Sequence, residues 1–388
     1  MGLTKNFVKG DYYPNPLAPL ISRDEAIKAG GMAVVVAYLG APEALKKAAY
    51  PDGPVDAVKW VKDNLKQQGK ELKYVAPVEI GSLSSVVPCL VAAKLGLNVI
   101  DADGAGRAVP ELTMLTFAAN QISVNPTVMA NINDLCIAIN VDESKADSCS
   151  QIAQENAAAL VEQIARPVVG IKQFNEIAGI AIWVMDAGDI RKALPITGTL
   201  TTALAVGRVI PQSNAEDIIE FLKTNCHMKV FPLFKGHFIA EGVASLTSGG
   251  FDHGRITLVN SERKEKYTGV FQNETLIVWS TGCDHPLAIA PDSIAYFVKD
   301  DQKVYSNGDI ITEDGNLVTD LEGKEATVIG IAAHEALREG EKSVLSSDLY
   351  LQRLGKGEIM RCFQQTLLDL GYGGKYIEIE KLYEEYKL

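Results

Sequence analysis

Long apolar runs are missing from this sequence, and their absence limits how the chain can relate to a membrane. The longest such run, IAGIAIWVM at 177–185, falls well short of the roughly 20 residues that a membrane-spanning helix needs. The N-terminal sequence MGLTKNFVKGDYYPNP also lacks the apolar segment of a secretory signal peptide. We therefore expect a cytoplasmic protein without a membrane partner.

The sequence has fewer basic residues than acidic ones. The 388 residues include 37 Lys+Arg against 49 Asp+Glu, which gives a formal net charge of -12. Binding to nucleic acid or to an anionic membrane depends on a basic surface, so this composition argues against both partners. With these two partners set aside, we expect a protein that acts on a small-molecule substrate. We also expect a homo-oligomer, because symmetric assemblies are common among soluble proteins.

Several familiar sequence motifs are absent as well. No two of the six cysteines are spaced as C-x-x-C, so a zinc ribbon or a thioredoxin-like motif is not expected, and we predict reduced thiols. The sequence contains no G-x-x-x-x-G-K-[ST] and no G-x-S-x-G, and no G-x-G-x-x-G follows a strand-like segment. Nucleotide binding and a serine-elbow hydrolase therefore have no support from motifs.

The sequence requires no cofactor, but it leaves a divalent metal ion open. Two of the five histidines follow an aspartate, in FDHG (251–254) and CDHP (283–286). These two Asp-His pairs either form a metal site together or occupy ordinary surface turns. A second arrangement is a magnesium site made of carboxylates alone, at Asp101 and Asp103.

The hydrophobic pattern divides the chain into three parts. From about 24 to 225, short apolar runs alternate with helical patterns, which predicts β/α units around a mostly parallel sheet. After about 226, short β-type runs are separated by turn residues, which predicts an all-β domain of sandwich or barrel-like form. The predicted fold is an α/β domain over 1–227, a β-rich domain over 228–335 and a helical C-terminal tail over 336–388. We expect the tail to pack back on the first domain.

Acidic residues follow two successive strands of the predicted α/β domain. Glu79 ends the strand over 73–80, and Asp101 and Asp103 end the strand over 98–103, with one helix between the two strands. A right-handed β-α-β crossover makes such strands parallel and usually adjacent, so their carboxyl ends lie on the edge where open α/β proteins place ligands. The three carboxylates are therefore expected to converge, with Arg107 and Glu111 in the loop that follows.

Convergent carboxylates have a chemical consequence. Like charges that lie close raise one another's pKa, so that one acid is protonated near neutral pH while another is ionised, as general acid–base catalysis requires. Arg107 then neutralises the excess charge or orients a substrate carbonyl. The alternative interpretation is a structural salt-bridge network in which Arg107 ties the carboxylates together.

Two helix starts supply further candidates. Ser82 lies in the segment GSLSS (81–85) directly after Glu79, and Thr199 lies in TGT (197–199) before another predicted helix. Free backbone N–H groups at a helix start can bind an oxyanion or a carboxylate, so we take both residues as candidate substrate contacts. Ordinary N-capping by these hydroxyl side chains is the alternative for each.

The stretch PVEIGSLSSVVPCLVAAKLGLNVIDADGAGRAVPELTMLTF (77–117) resembles the signature of the S-methyl-thiohydantoin desulfurase-like family. Further similar segments are TGTLTTALAVGRVI (197–210), FQNETLIV (271–278) and APDSIAYFV (290–298). The resemblance extends, in order, over nearly the whole chain. It implies a two-domain protein with an α/β domain first and a β-rich domain second, which agrees with the pattern analysis.

The same resemblance implies an activity. Members of the family are associated with hydantoin utilisation, and the implied reaction is hydrolysis of a small cyclic ureide or an S-methyl-thiohydantoin with release of methanethiol. The residues that it places at the site are Glu79, Asp101, Asp103, Arg107 and Glu111, with Asn273 and Glu274 from the second domain. A non-catalytic accessory subunit of a hydantoinase-type enzyme is one alternative, and a metal-dependent lyase is another.

Overall fold

The computed structural model describes residues 19–40, 52–131, 135–143, 151–174, 177–248, 251–312, 314–338 and 356–386. Contacts between Cα atoms divide the chain into two units. Unit 1 comprises Met1–Thr201 and His334–Met360, and unit 2 comprises Thr202–Ala333 and Arg361–Leu388. In this division the first boundary falls after Thr201, and residues 361–388 belong to unit 2.

Helices and strands are numbered here in chain order. The helices are α1 (Arg23–Ala29), α2 (Gly53–Gln67), α3 (Val87–Leu95), α4 (Thr116–Ala119), α5 (Gln151–Val169), α6 (Ala187–Ala193), α7 (Thr199–Val209), α8 (Ala215–Thr224), α9 (Asn307–Ile310), α10 (Glu335–Arg338), α11 (Lys356–Asp369) and α12 (Ile379–Tyr386), with short 3-10 helices at Leu112–Met114, Ile210–Gln212 and Thr319–Leu321. Within the described ranges, none of these helices has the length and apolar character that crossing a membrane requires.

The strands complete the inventory of elements. They are β1 (Leu20–Ile21), β2 (Met32–Leu39), β3 (Leu72–Pro77), β4 (Asn98–Ile100), β5 (Ala102–Asp103), β6 (Thr127–Ala130), β7 (Cys136–Ile139), β8 (Ala178–Met185), β9 (Ile196–Thr197), β10 (Val230–Phe238), β11 (Ala244–Ser248), β12 (Phe251–Asn260), β13 (Glu265–Gln272), β14 (Glu274–Ser280), β15 (Ala288–Ile289), β16 (Ser293–Val298), β17 (Lys303–Tyr305) and β18 (Glu325–Ile331).

A seven-stranded mixed sheet runs through unit 1 in the order β1-β4-β3-β2-β8-β6-β7. The strands β1, β4, β3 and β2 are parallel, whereas β8, β6 and β7 pair in antiparallel fashion. The prediction of a mostly parallel sheet is correct for one half of the sheet and wrong for the other. Strands covered on both faces show continuous apolar runs that are typical of parallel sheets, and β8 has such a run although it is antiparallel.

The helices α2 and α3 pack on the sheet of unit 1: α2 contacts mainly β8 and β6 of its antiparallel half, and α3 contacts β2, β3 and β4 of its parallel half. Val58, Val61 and Leu65 of α2 are buried in one apolar cluster with Val91 of α3 and Val75 of β3. This i, i+3, i+7 spacing is that of an apolar helix face. The spacing of these residues in the sequence predicts this face, and its burial confirms the prediction.

Two predicted helices differ from the structure for identifiable reasons. For the helix between β3 and β4 the sequence pattern predicts the range 83–95, but the helix begins only at Val87, because Pro88 is tolerated in a first turn but not in a helix interior. The sequence also predicts a helix that begins at Pro110, since proline is tolerated in a first turn, but the structure has only the 3-10 turn and the single turn of α4 there. The backbone N–H of Thr116 donates to Gly104 O at 2.9 Å. A contact with the acidic loop over 101–111 therefore replaces the helical hydrogen bond at this point.

Unit 2 is organised around one antiparallel sheet. Its strands follow the order β15-β14-β13-β12-β10-β18-β16-β17, and β11 pairs with β12 beside this path. The predicted β-rich character of the second domain is confirmed, but the unit is not all-β. The helices α8, α9 and α12 belong to it, and residues of α8 form an apolar cluster with Val230, Phe297 and Ile329 of the sheet.

A buried carboxylate connects the C-terminal residues of unit 2 to its sheet. Asp292 is fully buried and accepts hydrogen bonds from Ala333 N at 2.8 Å, from Tyr376 Oη at 3.1 Å and from Ile379 N at 3.2 Å. Buried polar groups of this kind are stable only when hydrogen-bonded. Ile379, at the start of α12, is also fully buried in the main apolar core of the unit.

Candidate functional site

The acidic loop over 101–111 and Glu79 lie at the same edge of the unit 1 sheet. β3 and β4 are parallel neighbours, with Tyr74 opposite Asn98 and Val75 opposite Val99. This adjacency confirms the β-α-β arrangement inferred from the sequence. After β4 the chain leaves this sheet. The next strand, β5, pairs with β9 in a separate two-stranded sheet, where Asp103 lies opposite Ile196.

Tight packing holds the loop against the end of β3. Gly104 N donates to Val78 O at 3.1 Å. A Cβ atom at Gly104 would lie 2.7 Å from Val78 O and would collide with the ring of Phe117. The Phe117 ring in turn stacks on Trp183 with centroids 4.8 Å apart. The absence of a side chain at Gly104 therefore lets an aromatic pair pack directly under the loop, a contact that sequence analysis did not identify.

Asp103 is the most deeply buried acid of the loop, with 0% of its surface exposed. Its Oδ1 accepts hydrogen bonds from Ala105 N at 2.8 Å and from Gly106 N at 2.6 Å. Its Oδ2 is buried and makes no hydrogen bond of normal geometry with the described residues. The pKa of Asp103 is raised to about 6: burial raises it, the hydrogen bonds from the two N–H groups and from the Thr199 side chain lower it, and the negative charge of Asp101 raises it.

Glu79 is the second acid with a raised pKa. Its Oε2 accepts from Val109 N at 2.6 Å and its Oε1 accepts from Ser84 Oγ at 3.1 Å. Desolvation raises the pKa of Glu79 to about 7, the two hydrogen bonds lower it, and the charge of Asp103 raises it. Glu79 and Asp103 therefore interact electrostatically, as groups in one site do.

Arg107 supplies the positive charge of the site. It is 7% exposed, and its Nε donates to Ala108 O at 2.8 Å. Its charge lowers the pKa of Glu79, which places the guanidinium within electrostatic range of that carboxyl group. A nearly buried guanidinium within range of Glu79 favours the ionised form of that carboxyl group in surroundings that otherwise favour the neutral form.

Asp101 has a different environment from Asp103. Its Oδ1 accepts from Leu200 N at 2.8 Å and from Thr201 N at 3.3 Å, and its Oδ2 accepts from Thr201 Oγ1. Gly198 N donates to Asp101 O at 2.8 Å. Asp101 thus caps the N-terminus of α7 from a distant part of the chain, where a negative charge is favourable. The magnesium arrangement at Asp101 and Asp103 loses support, because both carboxylate oxygens of Asp101 already accept hydrogen bonds.

Glu111 lies beside an ion pair that the sequence analysis missed. Glu162 is buried and accepts from Leu112 N at 2.9 Å, and its partner Arg166 also donates to Pro110 O at 2.9 Å. Desolvation raises the pKa of Glu162, Arg166 lowers it, and the charge of Glu111 raises it. The i, i+4 spacing of Glu162 and Arg166 on a predicted helix was the available signal.

The two candidate hydroxyl residues, Ser82 and Thr199, lie in different surroundings. Ser82 is exposed, and the hydroxyl that contacts Glu79 belongs to Ser84 instead. Thr199 lies next to Asp103 and lowers its pKa, while its buried Oγ1 makes no hydrogen bond of normal geometry with the described residues. Asp103 Oδ2 and Thr199 Oγ1 are thus two buried polar atoms without a hydrogen bond of normal geometry among the described residues, and the Thr199 side chain stabilises the ionised form of Asp103.

Asn273 and Glu274 lie in unit 2, at the turn between β13 and β14. Asn273 has a φ of 55°, and it exchanges hydrogen bonds with the backbone of Asp252 at 2.7 and 2.9 Å. The side chain of Asn307 donates to Asn273 O. Asparagine tolerates this left-handed conformation better than most residues. These contacts give Asn273 a structural role in holding the turn between β13 and β14.

A surface cavity of about 390 Å³ in unit 1 lies away from the acidic loop. Its lining residues include Met32, Glu71 and Asp186. Met32 begins β2, Glu71 precedes β3 and Asp186 follows β8, so the cavity is at the opposite edge of the sheet from Glu79. None of the residues predicted for the site lines this cavity.

Comparisons with known proteins agree with the fold described above. The chain matches the family "S-Me-THD-like, N-terminal domain" over residues 15–140 and the family "S-Me-THD-like, C-terminal domain" over residues 155–345. It is also similar to the crystal structure of a protein from Chromobacterium violaceum, determined by the Northeast Structural Genomics Consortium. The identity is 37%, the TM-score is 0.81, and the match covers 97% of this chain and 91% of that chain. No curated protein matches the chain. The two domain matches confirm the resemblance seen in the sequence, and the chain belongs to the S-Me-THD-like family.

Proposed function

We propose that the protein is a hydrolase acting on a small cyclic ureide of the S-methyl-thiohydantoin type, with Glu79 and Asp103 as its acid–base pair. The observation that carries this proposal is a pair of buried acids, Glu79 and Asp103, whose pKa values are both raised towards neutrality, together with the buried Oδ2 of Asp103, which makes no hydrogen bond of normal geometry with the described residues. An unsatisfied buried carboxylate oxygen costs stability, so a role in binding or proton transfer explains why it is retained.

The proposed reaction replaces a methylthio group by oxygen. The oxygen of water bonds to the ring carbon that carries sulfur, and the carbon–sulfur bond then breaks. One proton of water ends on methanethiol and the other on the ring nitrogen, so the products are a hydantoin and methanethiol. The step needs one group that accepts a proton from water and one that donates a proton to sulfur.

The two acids divide these roles according to their protonation. Burial raises the pKa values of both acids towards neutrality, that of Asp103 to about 6 and that of Glu79 to about 7, and the charge of Asp103 raises the pKa of Glu79, so the pair favours one ionised and one protonated acid. We assign the base to Asp103 and the acid to Glu79. Arg107 stabilises the negative charge that develops on the substrate, and the Thr199 hydroxyl orients the attacking water. In this scheme Asp101 positions α7 and Thr199 rather than reacting itself.

Methanethiol release tests the assignment. The wild-type protein is assayed with an S-methyl-thiohydantoin beside D103N and E79Q, with thiol formation and hydantoin formation followed separately. Loss of either general acid–base group is expected to lower kcat by roughly 100-fold or more. D24N and E220Q are matched controls, because both side chains are exposed acids far in sequence from the acidic loop.

Two outcomes would contradict the proposal. One is wild-type turnover that both D103N and E79Q retain at the level of the controls. The other is a wild-type protein that turns over neither S-methyl-thiohydantoins nor hydantoins alone and forms a stable complex with a hydantoinase-type subunit, which would indicate an accessory function instead.

A further inference from the structure

A compact group of metal-ligating side chains lies in unit 2, in the loop between β14 and β15. Cys283, Asp284 and His285 are consecutive in the sequence, and each offers one ligand atom within 4.8 Å of the others. We call these three residues the loop cluster. The sequence analysis had paired Asp284 and His285 with FDHG (251–254), whereas the structure groups them with Cys283, whose thiol is free.

The orientation of the His285 ring is that of a metal ligand. Its Nδ1 lies 2.9 Å from Pro286 O. A carbonyl oxygen can only accept, so Nδ1 carries the proton and Nε2 presents its lone pair. Histidines that bind metal ions usually donate their other ring N–H to a carbonyl or a carboxylate in this way.

A fourth donor faces the same ring nitrogen. Glu385 Oε2 lies 3.6 Å from His285 Nε2. Glu385 belongs to α12, at the C-terminal end of the chain, more than one hundred residues after the loop cluster. A distance of this size fits two donors of one tetrahedral zinc ion, since nitrogen and oxygen ligands with bonds of about 2.0–2.2 Å lie roughly 3.3–3.6 Å apart.

The backbone of the loop is held in place around these donors. Cys283 N donates to Ser280 O at 3.2 Å, and Leu287 N donates to Val278 O at 2.8 Å. Gly282 N donates to Ser280 Oγ at 3.2 Å. Cys283 also packs against the main apolar core of the unit. Ligands on a backbone that is already ordered lose less conformational entropy when they bind a metal ion.

We propose that the loop cluster and Glu385 bind one Zn²⁺ ion, which ties α12 to the β14–β15 loop. A donor set of one sulfur, one imidazole nitrogen and carboxylate oxygens suits zinc rather than magnesium or calcium. Binding requires the thiolate of Cys283, so the thiol proton is released to solvent when the metal binds. The role is structural: the ion adds a cross-link between two distant segments of unit 2.

Cobalt substitution tests the site directly. The full-length protein is stripped of metal with a chelator and titrated with Co²⁺, which gives a thiolate-to-metal charge-transfer band in the near ultraviolet when a cysteine is a ligand. We expect this band in the wild-type protein at one Co²⁺ per chain and its loss on addition of one equivalent of Zn²⁺. C283S is expected to abolish the band, and C226S, which removes another partly buried thiol, is expected to retain it.

Two further variants test the remaining ligands. H285Q and E385Q are expected to weaken Co²⁺ binding by 10-fold or more, and Zn²⁺ is expected to slow proteolysis of α12 in the wild-type protein but not in C283S. A wild-type protein that shows no charge-transfer band, or a band that persists in C283S, would overturn the proposal. In either case the loop cluster would be a free thiol beside an ordinary His285–Glu385 surface pair.

Discussion

Asp103→Asn is expected to make unit 1 more stable at alkaline pH while it removes catalysis. The carboxyl group of Asp103 is fully buried, and burial raises its pKa from 3.8 to about 6. An acid whose pKa is raised on folding holds its proton more tightly in the folded state, so the folded protein loses stability as the pH rises from about 4 through 6. The asparagine variant carries no charge at this position and avoids that loss.

The size of the effect follows from the change in pKa. One pKa unit corresponds to about 1.36 kcal/mol, so the rise from 3.8 to about 6 corresponds to ~3 kcal/mol of stability lost by the wild-type protein above pH 7. The amide oxygen of asparagine still accepts from Ala105 N and Gly106 N. We therefore expect D103N to gain ~1–3 kcal/mol in free energy of unfolding at pH 8 and nearly nothing at pH 4.

Urea unfolding at pH 4 and pH 8 measures this difference. Fluorescence reports on unit 1 through Trp60 and Trp183, of which Trp183 is fully buried. D24N is the control, since Asp24 is 78% exposed and its charge costs little on folding. The reasoning is refuted if D103N is no more stable than the wild-type protein at pH 8, or if its advantage is the same at both pH values.

Three other predictions follow from the same contacts. First, kcat/KM is expected to peak between about pH 6 and pH 7, because Asp103 must be ionised and Glu79 protonated; a pH–rate profile that stays flat from pH 5 to 8 would contradict the assigned roles. Second, G104A is expected to lower the free energy of unfolding by ~1–3 kcal/mol, because the added Cβ meets Phe117 and Val78 O, and urea unfolding that matches the wild type would show that the loop has room. Third, D292N is expected to destabilise unit 2 by ~1–3 kcal/mol and to speed proteolytic release of the C-terminal residues, whereas unchanged proteolysis would mean that its hydrogen bonds do not hold them.

The sequence predicted the neighbourhood of the site well because local rules apply there. β3, α3 and β4 form a β-α-β unit whose handedness and short connections leave few arrangements, so the strand order beside Glu79 followed from the pattern alone. The parallel pairing of β3 with β4 confirms that step. The family resemblance rested on the same stretch of sequence and is also confirmed.

Other features depended on contacts between distant residues, which periodicity does not reveal. Asp101 and Asp103 are two residues apart, yet the backbone N–H groups of α7 bind the first and leave one oxygen of the second unsatisfied. Nothing in the segment DAD distinguishes them. The stacking of Phe117 on Trp183 joins two segments far apart in the sequence. The antiparallel direction of β8 is likewise a tertiary outcome, since its apolar run fits either direction.

A double-mutant cycle of kcat/KM on Glu79 and Asp103 tests the central claim most directly, because it asks whether the two acids act as one pair. If they act in the same step, E79Q/D103N is expected to be about as slow as the slower single variant, since effects within a catalytic unit are not additive. If the fold losses of the two single variants multiply in the double variant, the two residues act independently, and the paired acid–base mechanism is wrong.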